Sequence, residues 1–224
     1  MATTDAPVVA RDGSTDRTAP LVVLLHGRGS HEQEILSLTA HLPTGSAYAA
    51  VRAPIAEGGG YAWFANRGIG RPISSSLREG LDWFRAWLEL EAPAGRPVVL
   101  IGFSGGAAFA GGLLLDDPAR FAGAAILYGT LPFEAGVPVT AGHLSAVPVF
   151  VAQGDQDTVI PKDLQDRTWT YLHHDSEATV TSHRDPGGHT LTLPVIESLS
   201  IWLQSLPLQP HPSDGSARPR PRIS

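Results

Sequence analysis

A serine lies in a glycine-rich turn between two apolar runs. The turn spans 102–106, Gly-Phe-Ser-Gly-Gly, with Ser104 at its centre. Before it, 97–101 is short and rich in β-branched residues, which predicts a buried strand; after it, 107–115 is small, apolar and long enough for a helix. A G-x-S-x-G sequence between strand and helix is typical of a nucleophile elbow, which exposes the serine hydroxyl. Because the pattern is short, a glycine-rich turn with a chance serine is the alternative.

Candidates for an acid and a base follow this serine along the chain. The apolar run 147–152, another predicted strand, leads to Asp155 and Asp157, and His189 follows two glycines further along. A serine hydroxyl is a poor nucleophile that needs a base to take its proton, and an imidazole oriented by a carboxylate does this near neutral pH. Either aspartate could be the acid, and the alternative role for Asp155 is to form the turn through its side chain.

The other histidines carry weaker signals for catalysis. Of nine histidines, only His189 lies in a glycine-flanked loop after the last predicted strand. His26 follows the buried run 21–25, and we expect its ring to tie the following loop by hydrogen bonds. That loop, His-Gly-Arg-Gly, can supply a backbone N–H to an oxyanion hole. No H-x-x-x-H or H-E-x-x-H pair and no G-x-G-x-x-G pattern occurs, so we expect neither a metal nor a cofactor.

These motifs together resemble a known family. Six stretches carry the resemblance and span residues 21–189: LVVLLHGRG, RAP, YAWF, VVLIGFSGG, VAQGDQDTVIP and GGH. The chain resembles serine hydrolases of the α/β-hydrolase superfamily, and most of all their phospholipase/carboxylesterase branch, which includes the acyl-protein thioesterases. The order nucleophile, acid, histidine along the chain is also that of the α/β-hydrolase fold.

The resemblance implies a role for each matching residue. Ser104 would be the nucleophile, Asp157 the acid and His189 the base, with the backbone amides of Arg28 and Gly105 as the oxyanion hole. The chain departs from the family pattern at two of these positions. The family usually has glutamine where Gly105 stands and an apolar residue where Arg28 stands. Neither change removes a backbone N–H, so the chemistry should survive.

Alternating apolar and amphipathic runs predict a mostly parallel sheet with helices on both faces, and the resemblance implies that this is the α/β-hydrolase fold. Strands are expected near 21–25, 47–51, 97–102, 123–128, 147–152 and 178–183, and helices near 31–42, 75–91, 104–116, 162–173 and 195–206. Ser30 and Ser76, each three residues before Gln33 or Glu79, predict capping boxes at two helix starts.

The chain divides into one domain and two polar ends. Residues 1–18 are expected to be loose, with an edge strand at Val8 and Val9 as one option, 19–206 to form a single domain, and 207–224 to be a disordered Pro/Arg tail. Only 129–146, rich in glycine and proline, separates two predicted strands where a cap domain usually enters. We therefore expect no cap domain and a shallow, open site, with 56–73 as the longest irregular segment.

Four apolar residues are candidates for the substrate pocket: Trp63, Phe64, Leu131 and Pro132. The alternative is that the aromatic pair only packs its loop against the domain. The side chain of Arg28 also has two readings. It could reach the site and favour an acidic substrate group, or it could point to solvent.

Composition narrows the class of protein. The chain has 224 residues, 42% hydrophobic content, a net charge of −6 and no cysteine, which suits one α/β domain and excludes a thiolate nucleophile. Its acidity gives no reason to expect nucleic acid or an anionic membrane as partner. No signal peptide or apolar run of about 20 residues is visible, so a cytoplasmic location without membrane insertion is expected. The oligomeric state is open, with a homodimer as one option.

The sequence thus predicts a serine carboxylesterase that hydrolyses small-to-medium acyl esters through a Ser-His-Asp triad and an acyl-enzyme. A thioesterase or lysophospholipase on the same fold is the alternative within the enzyme class. A non-catalytic module that binds a small molecule is the alternative outside it, and the presence of all three triad residue types in order argues against it.

Overall fold

The structure is a computed structural model, and it describes residues 6–208. Nearly all of the predicted Pro/Arg tail, 209–224, lies outside the described residues. Within them the strands are β1 Val9–Gly13, β2 Leu21–Leu25, β3 Ala47–Val51, β4 Ile55–Glu57, β5 Gly60–Ala62, β6 Val98–Phe103, β7 Gly123–Leu127, β8 Pro148–Gly154 and β9 Thr179–Asp185. The α-helices are α1 Glu32–Leu36, α2 Ser74–Glu91, α3 Gly105–Asp116, α4 Lys162–Thr170 and α5 Leu193–Ser205.

Seven of these strands form one sheet, in the order β1-β3-β2-β6-β7-β8-β9. Every neighbouring pair is parallel except β1 and β3, which are antiparallel at one edge. Parallel neighbours need a crossover between them, and the helices supply most of these connections. The expected alternation of strands and helices, and the mostly parallel sheet, are confirmed.

Alternate strand residues face two separate apolar cores. In β2, Leu21, Val23 and Leu25 belong to a first core cluster, whereas Val22 and Leu24 belong to a second core cluster on the opposite face. Residues of α2, α3 and α4 pack into the first core cluster, and residues of α1 and α5 into the second. Helices therefore cover both faces, which is why the central strands are apolar throughout rather than alternating with polar residues.

Strand β1 corrects the expected loose segment 1–18. Its residues pair with β3, with Val9 opposite Val51, so this part of the segment belongs to the sheet. Only Ala10 of the strand is fully buried, and the polar residues that follow leave little apolar pattern for a sequence prediction to find. The domain therefore begins before residue 19.

Both predicted capping boxes are wrong, because the serine hydroxyls have other partners. The Ser30 hydroxyl donates to the Glu34 carboxylate at 2.6 Å, and α1 has no side-chain cap. The Ser76 hydroxyl lies inside α2 and accepts the N–H of Ala65 at 2.9 Å. That bond fixes the segment before α2 instead of capping the helix.

The expected absence of a cap domain agrees with the described chain, in which 128–147 contains no helix or strand. The segment 56–73 is more regular than expected, because β4 and β5 form an antiparallel hairpin at its start. No helix among residues 6–208 is both long and apolar enough to span a membrane. The cytoplasmic location stays a prediction.

Candidate active site

Ser104 occupies a strained turn between β6 and α3. Its backbone has φ 55° and ψ −114°, a conformation that residues with a side chain rarely adopt. The two flanking glycines make this turn sterically feasible. A Cβ on Gly102 would lie 2.2 Å from the carbonyl oxygen of Gly106, and a Cβ on Gly106 would lie 2.1 Å from that of Leu25. Sequence and geometry thus agree on a nucleophile elbow.

The three candidate triad residues form a hydrogen-bonded chain. Nε2 of His189 lies 2.9 Å from Oγ of Ser104, and Nδ1 lies 2.8 Å from Oδ2 of Asp157. The serine and histidine are half-buried, whereas the side chain of Asp157 is only 1% exposed. With Nδ1 bonded to a carboxylate, the neutral ring carries its proton on Nδ1 and presents the Nε2 lone pair to the serine.

The structure distinguishes between the two aspartates. The other oxygen of Asp157, Oδ1, accepts the N–H groups of Val159 at 2.8 Å and Ile160 at 3.0 Å, which fixes the carboxylate toward His189. Asp155 instead points outward, with its side chain 54% exposed, and pairs with Arg184 at 3.2 Å. Only Asp157 is therefore placed to orient the histidine.

Two residues that the sequence analysis missed hold the acid and base loops. Nε2 of Gln165, on α4, donates to the carbonyl of Ile160 at 2.7 Å and steadies the loop after Asp157. The buried carboxylate of Asp185 accepts the N–H of Gly187 at 2.6 Å and the hydroxyl of Thr192, so it bonds to both sides of the loop that carries the histidine. The position of Asp185 at a strand end just before the Pro-Gly-Gly-His sequence was the available signal.

Two aromatic rings form the wall behind the histidine. The ring centre of His189 lies 5.2 Å from that of Phe103 and 6.3 Å from that of Tyr128, the latter nearly perpendicular. Burial raises the pKa of Tyr128 to about 12, and the nearby carboxylate of Asp185 adds to the shift. The phenol therefore stays neutral at any pH at which the protein would work.

The two candidate oxyanion amides adjoin one another. A Cβ built on Gly105 would lie 3.1 Å from the backbone nitrogen of Arg28 and 3.3 Å from its Cβ. Neither amide N–H donates a hydrogen bond to any residue in 6–208. The two departures from the family pattern are thus neighbours in space, and a side chain at position 105 would crowd Arg28.

The Arg28 side chain has a partner that neither sequence reading anticipated. Its guanidinium makes two hydrogen bonds to the carboxylate of Glu57, at the end of β4, and Nη1 donates to the carbonyl of Phe64 at 3.1 Å. It therefore joins the loop after β2 to the β4–β5 hairpin and to the pocket wall. The side chain also lines the cavity and is 32% exposed, so this pairing adds to the two alternatives and excludes neither.

His26 has the structural role expected of it. Nδ1–H donates to the carbonyl of Gly27 at 2.7 Å, and Nε2 accepts the N–H of Ala53 at 3.1 Å, so the ring is a neutral Nδ1–H tautomer. Burial lowers the pKa of His26, which keeps it uncharged. Trp63 donates its indole N–H to the carbonyl of His26 at 2.8 Å and stacks on Phe109 at 4.6 Å.

A cavity of about 800 Å³ opens beside Ser104 and His189. This volume lies in the range of about 300–1,000 Å³ typical of ligand sites, so the site is a formed pocket rather than the shallow one expected. All four residues predicted for the pocket line it and are buried: Trp63, Phe64, Leu131 and Pro132. Trp63 and Phe64 also belong to the first core cluster, so the aromatic pair packs its loop against the domain as well as lining the cavity. Within 6–208 no group of three or more metal-binding side chains is placed to hold a metal ion.

Comparisons with known proteins agree with this fold. The family model described as Phospholipase/Carboxylesterase matches residues 6–205. MhqD of Bacillus subtilis (strain 168) is 26% identical over 186 residues, covering 81% of this chain and 91% of that protein. The carboxylesterase of Bacillus cereus superposes with a TM-score of 0.78 at 24% identity, covering 90% of this chain and 95% of that one.

Two further solved structures have the same fold. The carboxylesterase of Mesorhizobium loti has a TM-score of 0.78 at 22% identity, covering 90% of this chain and 97% of the other. Arabidopsis thaliana SOBER1 has a TM-score of 0.70 at 20% identity, covering 83% and 97%. The chain belongs to the phospholipase/carboxylesterase family of the α/β-hydrolase superfamily and is a serine hydrolase that acts on ester bonds.

Proposed function

We propose that this hydrolase is a carboxylesterase for small-to-medium acyl esters, in which Ser104, His189 and Asp157 form the catalytic triad. The observation that carries the proposal is the hydrogen-bonded chain Asp157–His189–Ser104 on a strained elbow beside the cavity. A degraded triad would favour a non-catalytic binding module, and this one is complete.

The mechanism follows from the atoms that face one another. Oγ of Ser104 attacks the ester carbonyl carbon while Nε2 of His189 takes its proton, and the Asp157 carboxylate stabilises the resulting imidazolium. The amides of Arg28 and Gly105 donate to the oxyanion, each contributing about 3–4 kcal/mol if they act as in comparable sites. The imidazolium then protonates the leaving alcohol, and water releases the acid from the acyl-enzyme by the same steps.

The acyl group would lie against Trp63, Phe64, Leu131 and Pro132. Each buried methylene gains about 0.8 kcal/mol, so kcat/KM should rise with acyl length until this wall is covered. Because no cap domain covers the cavity in the described chain, an acyl chain that extends past this wall gains no further burial, which is why small-to-medium acyl esters are proposed. A thioester would follow the same steps, so a thioesterase is the second candidate.

The test compares two serines that line the same cavity. Ser104→Ala should lose about 10⁴–10⁶ in kcat and all labelling by a fluorophosphonate, because the nucleophile is gone. Ser30→Ala should keep both, since the Ser30 hydroxyl bonds to Glu34 and not to His189. Labelling that survives in Ser104→Ala would reject the proposed nucleophile. Faster hydrolysis of thioesters than of matched oxygen esters would favour the thioesterase.

A further inference from the structure

The cavity has two apolar sides that belong to different cores. One, the Trp63 side, consists of Trp63, Phe64 and Leu131, all in the first core cluster. The other, the Ile35 side, has Ile35 and Leu38 in the second core cluster, with Leu191 and Ile196 packed against it. The two clusters lie on opposite faces of the sheet. The cavity therefore straddles the edge of the sheet at which β6 ends, and Ser104 lies between its two sides.

His189 lies on the Ile35 side. Both rings that flank its imidazole, Phe103 and Tyr128, belong to or pack against the second core cluster. The residues that follow the histidine, Thr190 and Leu191, also line the cavity. The base and the Ile35 side are thus parts of one wall.

The position of the base determines where each half of an ester must lie. After acylation begins, the proton on Nε2 of His189 has to pass to the oxygen of the leaving alcohol, which must therefore lie within hydrogen-bond distance of Nε2. The alcohol then extends along the Ile35 side, and the acyl chain extends along the Trp63 side. Resting on the proposed function, we propose that the Ile35 side is a binding site for the alcohol half of the substrate, and that it takes an uncharged alkyl or aryl alcohol.

The charges around the cavity support an uncharged alcohol. Histidines aside, the charged residues among the described lining are Arg28 and Glu34. Arg28 pairs with Glu57, and Glu34 accepts the hydroxyl of Ser30. A phosphate on the alcohol, as in a lysophospholipid or a coenzyme A thioester, would thus meet no unpaired arginine or lysine in the described cavity and would lie near the carboxylate of Glu34. An anionic group binds well where the protein supplies a cation to pair with it, and transferring the anion from water to a site without a cation is unfavourable.

The experiment varies one half of the ester at a time. Butanoates of ethanol, butanol and hexanol share an acyl group, and these primary alcohols have similar acidity, so kcat/KM reports contact with the alcohol. It should rise by up to about fourfold per methylene, the factor for burying a CH₂ fully. Ethyl esters of acetate, butanoate and hexanoate form the complementary acyl series. Butanoate of a propanediol monophosphate should react more slowly than butyl butanoate.

Two isoleucines provide a matched pair of variants. Ile196→Ala, in α5, should flatten the alcohol series and leave the acyl series unchanged. Ile69→Ala removes the same atoms from the segment after Phe64, where Ile69 lines the cavity and is 42% exposed, and should leave the alcohol series as in the wild type. Ile196→Phe should move the optimum to shorter alcohols. Both residues are at least partly exposed, so these variants should fold, which thermal unfolding would verify.

The inference would be overturned if kcat/KM of the wild type did not depend on alcohol length. It would also be overturned if Ile196→Ala lost only the dependence of kcat/KM on acyl length. Preference for the phosphate-bearing ester would overturn the uncharged alcohol. These outcomes presuppose turnover that depends on Ser104. If Ser104→Ala retains hydrolysis, it is the proposed function that fails, so the two failures are distinguishable.

Discussion

Replacement of Asp157 by asparagine tests the triad most sharply, because it changes one atom and leaves the volume unchanged. Oδ1 of Asp157 accepts two backbone N–H groups, from Val159 and Ile160, while Oδ2 faces Nδ1 of His189. The amide of asparagine has only one oxygen, and that oxygen will face the two N–H donors. Its NH₂ group must then face the imidazole.

The size of the effect follows from that choice of orientation. An NH₂ donor opposite Nδ1 forces the proton of His189 onto Nε2, and a protonated Nε2 cannot accept the proton of Ser104. Rotating the amide restores the tautomer but leaves two N–H groups opposed by NH₂, at about 1 kcal/mol each, the low end of the range because the loop is part-exposed. About 2 kcal/mol leaves roughly 3% of the molecules in the useful orientation. Losing the negative charge beside the imidazolium lowers kcat further, toward about 10⁴ overall.

The assay measures kcat and KM on a short-chain chromogenic ester, together with the rate of fluorophosphonate labelling. Asp157 lies behind His189 with its side chain 1% exposed, so KM should change little while kcat falls. Asp155→Asn is the matched control, because it makes the same chemical change two residues away. Its exposed ion pair with Arg184 should contribute at most about 1 kcal/mol to stability and nothing to kcat.

Two results would refute this reasoning. A loss in Asp157→Asn of less than about tenfold would mean that the orientation of His189 does not depend on this carboxylate, because amide rotation alone predicts about thirtyfold. A large loss in Asp155→Asn with none in Asp157→Asn would move the acid to position 155. Circular dichroism and thermal unfolding of both variants would show that the change is in catalysis rather than in folding.

Two further predictions concern residues around the oxyanion loop. His26 is buried and neutral with a lowered pKa, so its contribution to stability is complete above its unfolded pKa of about 6.5 and is lost as pH falls below that value. In urea unfolding between pH 7.5 and 5, the free energy of unfolding should therefore fall more steeply for the wild type than for His26→Asn, and equal slopes would contradict this. Arg28→Ala and Glu57→Ala should each lower kcat/KM, and the double variant should have about the same kcat/KM as either single variant, because both substitutions break the same contact. Additive losses of kcat/KM in this double-mutant cycle would exclude a joint role.

The central strands and the positions of the candidate triad residues could be predicted because their signals are local. Strands buried on both faces, such as β6 between two cores, are continuous apolar runs, and the candidate nucleophile and acid each follow such a run. The candidate base follows β9, a largely exposed strand with few apolar residues. The hairpin β4–β5 was missed although a signal existed. Gly58 and Gly59 both have positive φ, 59° and 86°, as a two-residue hairpin turn requires.

What could not be predicted depends on contacts that form only in the folded protein. The Ser30 and Ser76 hydroxyls have the sequence context of caps, but Glu34 and Ala65 compete for them in the folded protein. On the Ile35 side, Ile35 comes from α1 and Ile196 from α5, which are separated by most of the chain. Nothing in the local pattern of either helix indicates that both reach the cavity.

The two departures from the family pattern acquire one physical explanation. Because Gly105 has no Cβ, the backbone and Cβ of Arg28 can lie against it, within 3.1–3.3 Å of where such an atom would be. Arg28 then offers its N–H to the cavity while its guanidinium bonds to Glu57 and to the carbonyl of Phe64. One residue thus joins the proposed oxyanion hole to the wall proposed for the acyl group. The histidine and the proposed alcohol site form the opposite wall. The acyl and alcohol halves of an ester would therefore contact different parts of the fold, and a single substitution can change the contacts of one half without changing those of the other.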